Sequence, residues 1–456
     1  MSGSENKKVW NFVKNFAGDK VVLIITLMLI LISIVCIFSS SSRLVTEETS
    51  RLDIAVDQLK TVGLGLICIF VCYQIRWIEI YRKLAGLGFL LSFALLLILD
   101  IGGIGPITAP RINGAVRFLK IGGFQLHIFE IVKVAMVMYI AWAVDALKRN
   151  KFRLLDKLSE LEHMHWLASR RAKKIIYLYI PLVIVTLMVA KGSNSAAGMV
   201  AIILIIVIAI GLGEFKELLL MAAVAVAIGL GCFGLYSATK DSENPIFERI
   251  GTGISRILPH DYVADFQNAE TTSEKQKALD KLRQPYSARI AIKQGGLFGK
   301  GPGQSTQRYV VPDMSEDYMF SFILEEYGWF GGMVVIALYL SLLARGVLIV
   351  RSCGNNIFAQ CAVMGLVLLI SGQAMLHILN NARINTLTGQ TLPLISRGAS
   401  AFICFSIAFG IILAISRISN RSIERQTVKS TPLIDLGDPV QDGLSDLQTF
   451  EDDDTI

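Results

Sequence analysis

The stretch Gln294–Gly328, QGGLFGKGPGQSTQRYVVPDMSEDYMFSFILEEYG, changes character partway along its length. It begins as a glycine-rich polar loop holding Lys300 and Arg308. It passes through an acidic cluster of Asp313, Glu316 and Asp317, then becomes an apolar helix that carries Glu325 and Glu326. A helix of that apolarity places the cluster at a membrane–water boundary, with the two glutamates buried below it. Carboxylates are costly in such a place and mark a pathway or a reaction.

The rest of the chain repeats the boundary. Hydrophobic residues make up 53% of the 456 positions, charged residues only 18%, and mean hydropathy is +0.55. Apolar runs of about 18 residues or more recur, as membrane helices require. This overrides the roughly three soluble domains that length alone suggests. The expected fold class is therefore all-α: a polytopic integral membrane protein of about ten transmembrane helices. They are expected near 20–40, 58–76, 83–101, 127–147, 175–191, 197–213, 216–237, 318–346, 357–380 and 393–416. Residues 1–19 precede this 20–420 membrane domain, whose large extracytoplasmic loop is 238–317. Residues 421–456, ending in Glu451, Asp452, Asp453 and Asp454, read as a disordered acidic tail. The first apolar run lacks a small-residue cleavage site and reads as an anchor rather than a signal peptide.

Basic residues orient the helices. Lys7, Lys8, Lys14, Lys20, Arg76, Arg82, Lys83, Lys148, Arg149, Arg170, Arg171, Lys173, Lys174, Arg345, Arg351, Arg417, Arg421 and Arg425 all fall on one side of a ten-helix map. That side is cytoplasmic by the charge rule, and both termini are inside; the long 238–317 loop escapes the rule. The net charge of +7 thus reflects topology. No basic soluble face with interleaved aromatics exists, which excludes a nucleic-acid partner. No internal repeat is evident, which weakens an inverted-repeat transporter. Cys36, Cys68, Cys72, Cys232, Cys361 and Cys404 lie in apolar runs and Cys353 in a basic loop, without zinc-site spacing; they read as packing residues.

Three groups of polar residues do not belong in lipid. Before the fourth helix stand Arg111, Arg117 and Lys120, and inside it Glu130 and Lys133 share a face three residues apart. They are either a structural ion pair with interfacial cations or a cationic pocket suited to a lipid pyrophosphate. The run Gly295, Gly296, Gly299, Gly301, Gly303 fits neither the Walker nor the Rossmann context. It is either turn chemistry or a site of close backbone approach to a ligand. Gln304, Ser305, Thr306 and Gln307 would then supply neutral hydrogen-bond groups to sugar hydroxyls. The third group, His377, Asn380, Asn381, Arg383, Ser396, Arg397, Gly398 and Ser400, is either a set of kinks and packing residues or another wall of the same cavity.

Asp317 is the sharpest candidate. It either caps the eighth helix or serves as a general base, a role the like charge of Glu316 favours. Ser321 and Glu325 follow it on one helix face. Glu325 is expected about 12 Å deeper, paired with Lys133 or Arg117.

These residues resemble a known family. Gly295–Gln304, Pro312–Ser321 and Glu325–Gly328, then Asn113–Arg117 through Glu130 and Lys133, then Thr388–Ser400, look like the motifs of the FtsW/RodA (SEDS) proteins, in the right order over roughly 15–420. The resemblance implies a ten-helix peptidoglycan glycosyltransferase, with Asp317 at the family's essential aspartate and Arg117, Glu130 and Lys133 at its charged positions. Three segments depart. Ser315-Glu316 stands where His-Thr is usual, Ser193–Ala197 where Pro-Asp-x-Gly-Thr is usual, and Arg397-Gly398-Ala399 where an aromatic and Gly-Gly are usual.

The resulting expectation is a polymerase of lipid II at the outer face of a bacterial inner membrane, septal (FtsW-like) rather than elongation (RodA-like). Asp317 would be the base, with Arg117, Glu130, Lys133, Lys300, Gln304, Ser305, Thr306, Gln307, Glu325 and Ser396 binding substrate. The resemblance implies a class B penicillin-binding protein as partner, among other divisome membrane proteins. A divalent cation, Mg or Mn, suits a pyrophosphate leaving group, although the sequence shows no metal cage. A precursor flippase and a scaffold for the transpeptidase are the rival readings.

Overall fold

A computed structural model of the chain describes residues 16–40, 51–112, 115–122, 124–152, 156–157, 159–160, 165–214, 216, 266–267, 271–311, 314–382 and 389–430. The helices are α1 Lys20–Ser40, α2 Arg51–Gln74, α3 Ile78–Ile101, α4 Ile128–Arg149, α5 Arg170–Ala190, α6 Asn194–Leu212, α7 Thr272–Gly295, α8 Met319–Ser352, α9 Ile357–Ala382 and α10 Ala399–Ser430. Eight of them, all but α4 and α7, are long and apolar enough to cross a membrane. α4 has the length but carries Glu130, Lys133, Asp145 and Lys148. The chain is a multi-pass, predominantly helical membrane protein. The helix expected at 216–237 lies outside the described residues.

Burial ranks the helices. α4 packs against α3, α6, α9 and α10, and its Met136, Ile140, Ala141 and Val144 are fully buried. Its Lys133 and Asp145 are therefore held inside protein, where partners can reach them, while Lys148 is exposed. α3 is peripheral, and Leu84, Leu87, Leu90 and Leu91 on it are exposed apolar surface that a bilayer would cover.

Four local features differ from the sequence expectation. Between α3 and α4 the chain forms an antiparallel sheet, ordered β1 (Gly103–Ile104), β2 (Ile107–Thr108), β5 (Phe118–Ile121), β6 (Phe124–His127), beside a hairpin of β3 (Arg111–Ile112) and β4 (Ala115–Val116). These pieces are too short to show a strand period in the sequence. The polar α7 is an unforeseen helix within the expected loop, and a capping box between Thr271 and Glu274 starts it. α10 begins at Ala399 rather than near 393, because Leu394 (φ 60°) and Gly398 (φ 159°) break helical geometry. Its helix also runs through 421–430, which the sequence had assigned to the tail; residues 431–456 lie outside the described ones.

α8 is 34 residues long, or about 50 Å at the helical rise, against a hydrocarbon core of about 30 Å. It kinks at Gly328 (φ 66°, ψ −169°). The Gly299 backbone packs into this kink: a Cβ at Gly328 would lie 2.4 Å from Gly299 N, and a Cβ at Gly299 would lie 2.2 Å from Glu326 O. Only glycine fits both positions.

Candidate functional site

The site forms where the start of α8 meets the segment 389–398, the hairpin region and α4. Two successive carbonyls ahead of Asp317 are gripped by the 396–397 backbone and side chain. Arg397 N donates to Ser315 O at 2.8 Å, and Ser396 Oγ donates to Glu316 O at 2.7 Å. Ser396 Oγ also accepts from Leu392 N at 2.9 Å, so it ties two turns together. Glu316 is exposed and Asp317 half-buried.

Arg117 faces Asp317 across Gly389. A methyl group added at Gly389 would lie 3.3 Å from Asp317 Oδ2 and 3.9 Å from Arg117 Nη1. Arg117 Nε donates to Gly192 O at 3.3 Å, which leaves its Nη1 on the Gly389 side. A carboxylate and a guanidinium thus border one gap at the mouth of the bundle.

Lys133 lies deeper and is 1% exposed. Its ammonium donates to Glu130 Oε1 at 2.6 Å, Gln373 Oε1 at 2.5 Å and Gln390 Oε1 at 3.2 Å. Three protons meet three acceptors, and the Glu130 carboxylate offsets the charge. Among the described residues, Glu130 Oε2 is buried without a hydrogen-bond partner. His127, at the foot of α4, is electrostatically coupled to this group. Desolvation pushes its imidazole below the usual value; the Glu130 charge opposes this, and Arg117 and Lys133 reinforce it.

Glu325 corrects the sequence reading. It is fully buried, but neither Lys133 nor Arg117 pairs with it. Its partners are Lys300 Nζ at 2.6 Å, Ser305 Oγ at 2.5 Å, Thr306 N at 2.9 Å and Thr306 Oγ1 at 3.0 Å, with Gln307 N at 3.4 Å. Glu326 is held by Ser39 Oγ at 2.7 Å, Gly303 N at 3.0 Å and Ser305 N at 3.4 Å, with Arg308 Nη1 at 3.6 Å. The reason is the loop's path. Lys300 N donates to Glu325 O and Gly301 N to Glu326 O, at 2.9 and 3.0 Å. The glycine-rich backbone therefore makes its close approach to α8. Lys300, Ser305, Thr306 and Gln307 spend hydrogen bonds on Glu325, while the exposed Gln304 donates its N–H to Gly301 O at 3.2 Å. Arg117, Asp317, Glu130 and Lys133 come together; the loop residues form a second cluster around Glu325.

Among the described residues, no three His, Cys, Asp or Glu side chains gather to hold a metal ion. Asp313 and Arg383 lie outside those residues.

Sequence reasoning missed Gln373, Gln390 and Ser39. Gln373, an amide in the apolar middle of α9 and fully buried, carried a usable signal, since such groups need a partner. Ser39 at the end of α1 carried none.

Relatives agree with this architecture. The chain is 25% identical to "Probable peptidoglycan glycosyltransferase FtsW" of Caulobacter vibrioides over 68% of each protein. It is 24% identical to "Stage V sporulation protein E" of Bacillus subtilis over 89% of this chain and 99% of that one. Among solved structures, the fold matches a chain from a peptidoglycan synthase complex coordinating polymerization and crosslinking, with TM-score 0.57 and 18% identity over 88% of this chain and 98% of that one. It also matches the rod shape determining protein RodA of Thermus thermophilus, with TM-score 0.51 and 18% identity over 89% of this chain and 98% of that one. The model of the cell cycle protein family that unites FtsW, RodA and SpoVE matches residues 19–421, and the chain belongs to that family.

Proposed function

We propose that this protein is a peptidoglycan glycosyltransferase that polymerises lipid II at the outer face of a bacterial inner membrane, with inversion at the anomeric carbon. The observation that carries the reading is the Asp317 carboxylate opposite the Arg117 guanidinium across Gly389. In the reaction an acceptor sugar hydroxyl attacks the donor's anomeric carbon. Asp317 takes the hydroxyl proton, the new glycosidic bond forms, and the bond to the lipid pyrophosphate breaks. One base and strong stabilisation of the leaving anion are what this step needs. Arg117 borders the gap and would meet the pyrophosphate directly. Lys133, paired with Glu130, would hold the Gln390 side chain in place next to Gly389. Glu130 fixes the Lys133 ammonium at 2.6 Å.

The site end is then extracytoplasmic and the Arg-rich end, with Arg82, Arg149, Arg345 and Arg417, cytoplasmic. A class B penicillin-binding protein is the expected partner, crosslinking the glycan made here. Septal synthesis is the preferred setting, because relatives matched along most of this chain are FtsW proteins.

The test is to incubate the purified protein with lipid II, alone and with its transpeptidase, and to measure glycan length. Strands of many disaccharides in either condition are expected. No polymer in either, together with transfer of lipid II across vesicle bilayers, would make the protein a flippase instead.

A further inference from the structure

The N-terminus of α8 is capped by another helix. The first N–H groups of any helix lack partners within it, and at the start of α8 Tyr318 provides no side-chain cap. Phe320 and Ser321 are both buried, so water cannot serve them. Their partners come from α9: Phe320 N donates to His377 Nε2 at 3.3 Å, and Ser321 N and Oγ donate to Asn381 Oδ1 at 2.9 and 2.8 Å. His377 and Asn381 are one turn apart on α9 and both buried.

Each side chain has a second hand. Because His377 Nε2 accepts an amide N–H, its proton sits on Nδ1, which donates to Gln390 O at 2.6 Å. Asn381 Nδ2 donates to Asp317 O at 3.0 Å and to His377 O at 2.8 Å. With Arg397 N on Ser315 O and Ser396 Oγ on Glu316 O, three consecutive carbonyls, 315 to 317, are held from outside α8. His377 thus links α8 to Gln390, whose side chain is on Lys133, and Asn381 holds the residue that carries the carboxylate.

We propose that His377 and Asn381 are positioning residues that cap α8 in trans and thereby set the place of the Asp317 carboxylate relative to Arg117 and the Lys133 group. This rests on the reading of Asp317 as the base. With Phe320 N already served by His377, the aspartate is not needed as that amide's cap, and its oxygens lie beside Gly389.

The test compares Asn381→Leu, His377→Leu and Asp317→Asn in the full-length protein with lipid II. It also measures hydrogen exchange at the amides of residues 319–322. Small misplacement of a catalytic group costs about 10²-fold in rate, so both leucine variants should lose about that in kcat. KM should stay within about threefold, because substrate contacts are untouched. Amides of Phe320 and Ser321 should exchange faster. Near-normal kcat in Asn381→Leu beside an inactive Asp317→Asn would overturn the proposal and leave the glycosyltransferase reading standing. An active Asp317→Asn would overturn both. Should the leucine variants fail to accumulate in membranes, His377→Gln and His377→Asn decide. The Gln amide can reproduce the acceptor at Nε2, and the Asn amide the donor at Nδ1. Greater activity in the Gln variant supports the cap; equal or greater activity in the Asn variant overturns it.

Discussion

Glu325 and Glu130 are both carboxylates on helices of a membrane bundle, and each meets a lysine at 2.6 Å, yet their surroundings treat them differently. Glu325 is saturated: both oxygens are taken by Lys300, Ser305, Thr306 and Gln307. Beside it Glu326 is tied to Ser39 on α1 and to the loop backbone. Glu130 spends one oxygen on Lys133 and keeps the other, buried, without a partner among the described residues. A saturated buried charge is a joint, because any change in it breaks bonds the fold depends on. A buried acceptor left over is spare capacity, although Arg308 Nε beside Glu326 is likewise buried without a hydrogen bond among the described residues. The Glu325–Glu326 cluster thus holds the loop on α8, and the Glu130–Lys133–Arg117–Asp317 group is the one for which we propose the chemistry.

The largest effect that tests this division is at Asp317. Asp317→Asn keeps size and hydrogen bonding but removes the base, so polymerisation should fall about 10²–10⁴-fold with thermal unfolding and membrane insertion near normal. Retained glycan synthesis in purified form would show that the chemistry lies elsewhere.

Next comes Glu130→Gln. Lys133 keeps three oxygen acceptors, since the new amide oxygen replaces Glu130 Oε1, but the spare oxygen becomes a donor. Polymerisation should drop about tenfold, equivalent to about 1.4 kcal/mol of transition-state stabilisation, and thermal stability should fall as well, because the buried Lys133 loses its counter-charge. A variant that unfolds early and is fully active when cold would place Glu130 with the joints instead.

Glu325→Gln should show the converse. Hydrogen bonds to a charged group contribute about 1.5–3 kcal/mol, and here Lys300 also loses its partner. A lowered unfolding temperature and easier proteolysis between 296 and 311 are expected, with activity falling only as the loop loosens. Unchanged stability would dissolve the contrast.

The smallest effect is at Glu316. Its side chain is exposed, and its like charge lies next to Asp317. Glu316→Thr should move the acidic limb of the pH–rate profile to lower pH, because removing that charge lets the base ionise more easily. An unmoved limb would mean that the two carboxylates are not coupled, or that Asp317 is not the group that titrates.

How much of this was legible beforehand depended on range. Apolar runs long enough to cross a bilayer have few alternatives, so the membrane class and the approximate places of α1, α3, α4, α8 and α9 follow from local composition. Asp317 stood out for the same local reason, a carboxylate where a polar loop turns into an apolar helix. The pairing of Glu325 was not legible. Lys300 and Lys133 are both cations at fitting distances along the chain, and the choice between them depends on how the loop folds back over the Gly328 kink. The caps on α8 were equally hidden, since His377 and Asn381 lie about 60 positions along the chain from the amides they serve. By itself the sequence determined which segments seek the bilayer and which charged groups must find partners there. Tertiary structure decided which partner each one found, because a buried charge binds whatever donor or acceptor the packing of separate helices brings within hydrogen-bond reach, and that distance is a property of no single segment.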